Sequence, residues 1–362
     1  MPRSTFAFKT RLWLHAFLLA VFFLSANSWV RADDPVSPEP PELIVYTYDS
    51  MTAPGGLGRE IFSLFEKRCR CRIKALAVGD GGQILSRLTL DKKRGKPTAH
   101  LVFGIDQFLW EQIKPFSQRP SQAPQGLERV SKNLRVDDAF VAYDYGVQAL
   151  MVDRKFWDST QRPALPQSLA DLLKPEWKRS LILQDPRTST PGLGFLALTH
   201  EVMRAPGEFE NYWNALKPQW LTLVPGWDAA YSLFLKGEAP LVWSYTTSQA
   251  YHRKNGDPQG RYRALVFEDG NPVQVEGAAL MSGNFKSEKQ LKIAEDFLSF
   301  LLAPEVQKLI PEKNWMLPVI PETPLPPSFN DLPQPKKIIR PKWSAEKYRE
   351  VLALWSRLVQ GG

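Results

Sequence analysis

Three short, apolar, β-prone runs alternate with helical stretches in the first third of the chain, and this alternation restricts the fold more than any other feature. Residues 42–48 read as a strand, and residues 60–68 as a helix with Ile61, Leu64 and Phe65 on one face. Residues 71–78 form a second strand, residues 83–89 start a second helix, residues 98–104 form a third strand, and residues 108–110 open another helix. Strands and helices at this spacing predict parallel βαβ units in an α/β fold. Ligands of open α/β sheets bind outside the carboxyl ends of the strands. Those ends carry Tyr48 and Asp49, Asp80 within Gly79-Asp-Gly-Gly82, and Asp106. An acid at a strand end is often only a helix N-cap. That reading stands level with a functional one for Asp106. It is weaker for Asp80, whose glycine neighbours let a ligand approach the backbone.

Residues 225–252 repeat the pattern with many aromatics. Trp227, Tyr231, Phe234 and Leu235 fall at i, i+4, i+7 and i+8, one face of a helix, and Lys236-Gly237 supplies its stop. Phe234 and Leu235 read as core. Residues 240–245 are short and apolar and read as a buried strand ending at Tyr245. Thr246, Thr247 and Ser248 offer N-cap hydroxyls for a helix that carries Tyr251.

The rest of the chain fills in around these units. Residues 140–152 form a β-prone run longer than a usual strand, able to pass from one lobe to another. Residues 166–174 read as a helix, 178–184 as a strand and 195–203 as an apolar helix. Ser189 or Thr190 caps that last helix, with Pro191 at its first position. Hydroxyls and free amides at a helix start make an anion site, or simply an ordinary capped start. Residues 263–268 and 274–279 read as strands, 288–302 as an amphipathic helix and 305–310 as a short one. Prolines recur through an extended segment at 321–341.

Residues 1–32 read as an export signal. Arg3, Lys9 and Arg11 precede an apolar run of about fifteen residues, short of the roughly twenty that span a bilayer, and Val30-Arg-Ala32 fits a cleavage site. Four of the 46 basic residues and no acidic ones lie there, so its removal lowers the net charge from +8 to +4. Neither value, without a basic stripe interleaved with aromatics, fits nucleic-acid binding. The roughly 330 residues that remain exceed one core and suit two lobes. Cys69 and Cys71 are the only cysteines. In an oxidising compartment they predict a local disulfide; two thiols with no further ligand nearby do not make a metal site. The expected organisation is a first lobe at 41–144, a second lobe at 145–263, and a return to the first at 264–320. The proline-rich segment 321–341 and a terminal helix at 342–362 follow. The segment around Tyr143–Tyr145 and the return near 265–268 are the expected hinges.

No Gly-x-Ser-x-Gly, Walker loop, dinucleotide fingerprint or His-Glu-x-x-His is present, so the chain reads as a binding protein and not an enzyme. What remains is a set of aromatics and acids at strand and helix ends: Tyr48, Asp80, Trp227, Tyr245, Tyr251 and Trp315. Ring faces plus a carboxylate suit an organic cation, each ring contributing roughly 0.5–2 kcal/mol.

Several strings carry a family resemblance. They are Val45-Tyr-Thr-Tyr-Asp-Ser50, Gln184-Asp-Pro-Arg-Thr-Ser-Thr-Pro-Gly-Leu-Gly194, Gly226-Trp227, Ser244-Tyr-Thr-Thr-Ser248 with Ala250-Tyr-His252, and Asn314-Trp-Met316, together with the Cys69-x-Cys71 pair. Through these strings, which span residues 43–320 in order, the chain resembles the thiamine-binding periplasmic proteins, the capture components of thiamine ABC importers. The resemblance implies a two-lobed type II periplasmic binding protein, each lobe a mostly parallel sheet flanked by helices. It implies a periplasmic monomer that closes over thiamine, thiamine phosphate or thiamine diphosphate, uses no cofactor and delivers its cargo to an inner-membrane permease. Tyr48, Asp80, Trp227, Tyr245, Tyr251 and Trp315 match pocket positions, and Ser189 matches a position near the phosphate. Family members can carry a Trp where this chain has Gly55, so one wall of the aromatic box is expected to be absent. The alternatives are another heteroaromatic cation or a polyamine on the same scaffold and, more remotely, an exported hydrolase. Iron is disfavoured, because Tyr245 has no adjacent tyrosine.

Overall fold

The strands lie where short β-prone runs meet turn residues, and the helices where an apolar face recurs. The computed structural model describes residues 39–158, 164–257 and 259–360. The export signal expected at 1–32 lies outside them, as do the last two residues of the terminal segment expected as helix at 342–362.

The chain enters through β1 (Glu42–Thr47), a one-turn α1 (Asp49–Thr52) and α2 (Leu57–Cys69). It continues with β2 (Arg72–Ala77), α3 (Gly81–Lys93), β3 (Leu101–Asp106) and a short α4 (Trp110–Ile113). β1 pairs in parallel with both β2 and β3, as the alternation predicts. Arg70 takes a left-handed conformation (φ 51°) between α2 and β2. Around that turn Cys69 and Cys71 are joined in a disulfide. α3 is longer than its sequence reading because Asp80 and Gln83 form a reciprocal capping box that fixes its start two residues earlier.

After the two-residue β4 (Ser117–Gln118), the chain runs through β5 (Val141–Asp153) and α5 (Lys155–Asp158). The second half contains β6 (Leu181–Gln184), α6 (Thr190–Val202), α7 (Glu208–Leu216), β7 (Trp220–Val224), α8 (Trp227–Leu235), β8 (Leu241–Tyr245), α9 (Ser248–Lys254) and β9 (Tyr262–Leu265). The return consists of β10 (Asn271–Met281), α10 (Glu288–Leu301), α11 (Pro304–Gln307), α12 (Ile310–Lys313), β11 (Leu317–Pro318), β12 (Ile338–Ile339) and α13 (Ala345–Gln360).

The main path of the sheet is β2-β1-β3-β10-β5-β8-β6-β7. The two long strands, β5 and β10, lie at its centre and run antiparallel. β5 pairs with β10 over Val141–Val147, then with β8 over Gln148–Val152 and with β9 over Leu150–Asp153. One strand therefore belongs to both halves. Its pairing changes hands at Val147/Gln148, a few residues beyond the Tyr143–Tyr145 segment expected as a hinge.

Each half has its own aromatic core. Phe62, Phe65, Phe103 and Phe297 pack at 5.1–6.0 Å in the first, edge to face except for the tilted Phe62–Phe297 pair. In the second, Phe195 lies between Trp213 and Trp243, and Trp355 of α13 meets Trp213 at 5.8 Å. The terminal helix therefore docks on the second half.

Several sequence readings are corrected. The helix expected at 166–174 is only a 3₁₀ turn, Ala170–Leu173, because Asp171 turns back to bind the amides of Gln167 and Ser168 and Pro175 starts a new turn. The helix expected at 305–310 splits into α11 and α12. The stretch at 321–341 is not extended throughout. It includes a 3₁₀ turn at Pro327–Phe329 that buries Phe329, and β12 pairs with β10. Helix α6 begins at Thr190, which puts Pro191 second, and Ser189 precedes it without capping through its side chain. Thr247 likewise makes no side-chain cap to α9. Two elements, α7 and β7, lie in a stretch to which no structure was assigned from sequence.

Candidate functional site

A cavity of about 500 Å³ opens between the two halves of the sheet. The first half and the return supply Tyr48, the loop through Gly55, Asp80, Gln274, Glu276 and residues 313–316. The second half supplies Thr190, Pro191, the start of α8, Tyr245, Ser248 and Tyr251. Six of the seven expected ligand residues, Tyr48, Asp80, Trp227, Tyr245, Tyr251 and Trp315, therefore share one cavity although they are spread over nearly 270 positions. The seventh, Ser189, does not line it. It is buried immediately before Thr190, and its Oγ has no hydrogen-bond partner.

The aromatic walls are fixed by packing and hydrogen bonds. Trp227 opens α8 and stacks on Tyr231 at 4.7 Å with 17° between the planes. Its Nε1–H donates to Ser244 Oγ at 2.8 Å. Tyr231 continues the stack to His252, to which its hydroxyl is hydrogen-bonded at 2.8 Å. Burial holds His252 neutral, its pKa lowered to about 4. Tyr251 meets Trp315 edge to face at 5.1 Å. Trp315 itself adopts a left-handed backbone (φ 55°), uncommon for a bulky residue and typical of functional loops. Leu235, assigned to the core from its helical spacing, is 42% exposed and lines the cavity, because α8 turns that edge away from the sheet.

Gly55 lies on the rim with φ +81°, and a Cβ there would meet nothing within 4 Å. The space for an additional wall exists, while the backbone favours glycine.

The floor is acidic. Asp80 caps α3 through Oδ1, which accepts from the Gly81 amide at 2.7 Å, while its Oδ2 has no partner. Burial raises its pKa, opposed first by the Gly81 amide and then by the Ser189 hydroxyl and the Trp227 and Thr190 amides, which lie near the carboxylate without closing a hydrogen bond to Oδ2. Glu276 of β10 is 7% exposed and was not singled out from sequence. Its Oε2 accepts from Tyr48 and Tyr143, each at 2.9 Å, and its Oε1 accepts from Gln274 Nε2 at 2.8 Å. Burial raises its pKa to about 7, against the opposing effect of the two phenols. Asp144 of β5 is fully buried and its pKa is raised well above the usual range by burial and then by Glu276. Asn314 links the pair, its Nδ2 donating to Asp144 Oδ2 at 2.7 Å. Tyr245 joins the same network, its hydroxyl donating to Gln274 Oε1 at 2.8 Å. Asp228, in the first turn of α8, is raised to about 6 by burial and then by Asp80.

Asp106 is chiefly structural. Its Oδ1 accepts from the amides of Phe108 and Leu109. Its Oδ2 accepts from Thr190 Oγ1 at 2.6 Å, a bond that reaches across the cleft. The Gly82 amide also crosses, donating to the Thr188 carbonyl at 3.1 Å.

Glu276, Tyr143, Asp144 and Asn314 were missed because they lie inside runs that read as buried strand or plain loop. The available signal was a charged residue within each of two otherwise apolar strands. As a chemical environment, the cavity offers ring faces, several carboxylates and, among the described lining residues, one basic side chain. That residue, Lys313, is engaged by Glu60 at 2.5 Å. Among the described residues no three His, Cys, Asp or Glu are grouped to hold a metal ion.

Comparison with known proteins agrees with this geometry. The family of bacterial extracellular solute-binding proteins matches residues 108–347. The thiamine-binding periplasmic protein of Brucella abortus biovar 1 (strain 9-941) is 39% identical over 313 residues, 86% of this chain and 89% of that protein. The protein of the same description from Escherichia coli (strain K12) is 37% identical over 324 residues, 88% and 94% of the respective chains. A solved periplasmic thiamin-binding protein superposes with a TM-score of 0.78 at 35% identity, covering 89% of this chain and 98% of that one. The periplasmic binding protein AfuA from Actinobacillus pleuropneumoniae, at 15% identity and a TM-score of 0.74, shares the fold.

Proposed function

The chain belongs to the thiamine-binding periplasmic proteins, within the bacterial extracellular solute-binding family, and we propose that its cleft captures thiamine. It is a two-lobed type II binding protein of the periplasm. Among the described residues no helix is long and apolar enough to cross a membrane.

The observation that carries the reading is the pairing of aromatic walls with an acidic floor. Thiamine has two flat heteroaromatic rings and a permanent positive charge on one of them. Trp227, Tyr245, Tyr251 and Trp315 present ring surface to such a ligand, and ring faces attract diffuse positive charge. Asp80 Oδ2, buried and without a partner, offers a charge-assisted hydrogen bond.

The same reading extends to the phosphate esters and to delivery. The start of α6, where Thr190 and Pro191 line the cavity, favours a phosphate at that end of the cleft. Capture proceeds by closure of the halves about β5 and β10, the two strands at the junction. Release follows reopening at an inner-membrane ABC permease. These steps are binding and release, with no covalent chemistry. Calorimetric titration of the purified chain, freed of its export signal, with thiamine, thiamine phosphate and thiamine diphosphate tests the assignment. Saturable heat with at least one of the three is expected. Absence of heat and of any thermal shift with all three would remove it.

A further inference from the structure

Tyr48 carries one hydroxyl hydrogen and has two acceptors within reach. Glu276 Oε2 lies at 2.9 Å and Asn314 Oδ1 at 3.1 Å. The Asn314 amide is held by its own donor bond to Asp144 Oδ2, which turns Oδ1 toward Tyr48. Tyr48 can therefore stand in either of two hydrogen-bond directions. With Glu276 ionised, Tyr48 donates to the carboxylate. With Glu276 protonated, the carboxyl donates to Tyr48, and Tyr48 donates to Asn314. Both arrangements satisfy every member at the same heavy-atom positions.

The charges around Glu276 favour the protonated arrangement when no cation is present. Asp144 on β5, Asp106 on β3 and Asp80 at the start of α3 all act on it, and Tyr48, Tyr143 and Tyr245 contribute only neutral phenols. The cleft's basic residue, Lys313, is committed to Glu60. Asp144 is fully buried with Oδ1 lacking any partner, so a negative charge on both acids would be left without compensation. A cation entering the cleft supplies the missing charge.

We propose that Glu276 is a ligand-recognition residue that exchanges its proton for the cation, releasing the proton to solvent as the cleft fills. This rests on the assignment of thiamine, or an ester of it, as the ligand. The balance is simple: the Glu276 carboxyl and the ligand cation become a carboxylate–cation contact plus one proton in solution, with no other bond made or broken. The exchange also sets specificity. A neutral molecule of the same shape cannot replace the proton and leaves the acids as they were. Binding of a permanent cation becomes weaker as the solution becomes more acidic, because the displaced proton competes for the same carboxylate.

The test is titration calorimetry of the signal-free protein with thiamine at pH 7 in phosphate, HEPES and Tris buffers, whose ionisation heats differ. The slope of observed heat against buffer heat counts protons released. A midpoint of about 7 for Glu276 predicts roughly half a proton per thiamine. Asp106 and Asp228, near 6, are by then about nine-tenths ionised and contribute little. Glu276→Gln should reduce the release at pH 7 to less than half of the wild-type value and flatten the dependence of affinity on pH between pH 6.5 and 8. Asp144→Asn should retain a measurable release. Heat that is the same in every buffer overturns the proposal and leaves thiamine binding intact. A Glu276→Gln protein that binds and still releases as many protons as wild type also overturns it. No heat in any buffer removes the thiamine assignment and this inference with it.

Discussion

Thr190 Oγ1 donates to Asp106 Oδ2 at 2.6 Å, tying the first turn of α6 in one half of the molecule to the end of β3 in the other. Both groups are buried. Asp106 has its other oxygen occupied by the amides of Phe108 and Leu109, so removing the threonine hydroxyl strands one carboxylate oxygen. Thr190→Val keeps the side-chain shape and should weaken thiamine binding roughly tenfold to a hundredfold, about 1.5–3 kcal/mol for a lost bond to a charged acceptor. The measurement is Kd by calorimetry. An unchanged Kd would show that this bond does not contribute to the closed state.

A backbone contact lies beside it. The Gly82 amide meets the Thr188 carbonyl across the cleft, and a Cβ on Gly82 would lie 2.5 Å from the Arg187 carbonyl oxygen and 2.8 Å from Thr188 Cα. No flexible side chain is available to move aside. Gly82→Ala is therefore expected to fold normally, since α3 favours alanine over glycine, but to close incompletely. Its melting temperature without ligand should be at or above wild type, while thiamine affinity falls tenfold or more. Retained affinity would mean that the halves bind ligand without this approach.

The sequence pointed to residues at the ends of elements and missed those inside them. Tyr48, Asp80, Tyr245 and Trp227 stand where a strand ends or a helix begins, and turn chemistry marks those places. Glu276 and Asp144 stand in mid-strand on β10 and β5. There the period-two reading sees only pleat, and nothing local shows that two strands 130 residues apart will lie antiparallel with Glu276 opposite Asp144. Leu235 failed for a related reason. Helical spacing gives a face but not which edge of that face meets the sheet, and it faces the cleft. Ser189 was legible as a helix start, yet its side chain turns inward instead of capping.

Trp227 tests the aromatic wall directly. It is held from two sides, by the stack on Tyr231 and by its bond to Ser244 Oγ. Trp227→Ala removes the ring and should cost roughly thirtyfold or more in Kd for thiamine, about 2 kcal/mol or above for lost stacking and cation contact. Trp227→Phe retains ring surface but loses the bond to Ser244, so a smaller loss is expected. Equal losses in the two variants would indicate that position, not ring surface, matters.

The Cys69–Cys71 disulfide lies outside the cleft, at the junction of α2 and β2. It closes a minimal loop, and loop entropy assigns it only about 1–2 kcal/mol. Replacing both cysteines with serine should lower the melting temperature by a few degrees and leave Kd for thiamine unchanged. A large loss of affinity would place the α2–β2 junction in the closing motion.

Glu276 should also make the ligand-free fold sensitive to pH. Burial lifts its carboxyl from 4.5 to about 7, so the folded state holds this proton more tightly than the unfolded state. A raised acid costs nothing below its unfolded value. The cost grows as pH rises from about 4.5 and is complete above about 7, reaching about 3 kcal/mol for a shift of this size. Glu276→Gln cannot ionise and escapes that cost. The amide also disturbs the bond from Gln274, but that penalty does not vary with pH and cancels in a comparison between two pH values. The neutral buried histidines, which act in the opposite direction, are common to both proteins and cancel as well. Urea unfolding of ligand-free wild type and Glu276→Gln at pH 5 and pH 8 should show the variant gaining about 2–3 kcal/mol on wild type across that interval, the first part of the cost being present already at pH 5. With saturating thiamine at pH 8 the gain should disappear, because the cation then compensates the wild-type charge. A stability difference identical at both pH values would show that Glu276 does not titrate in this window.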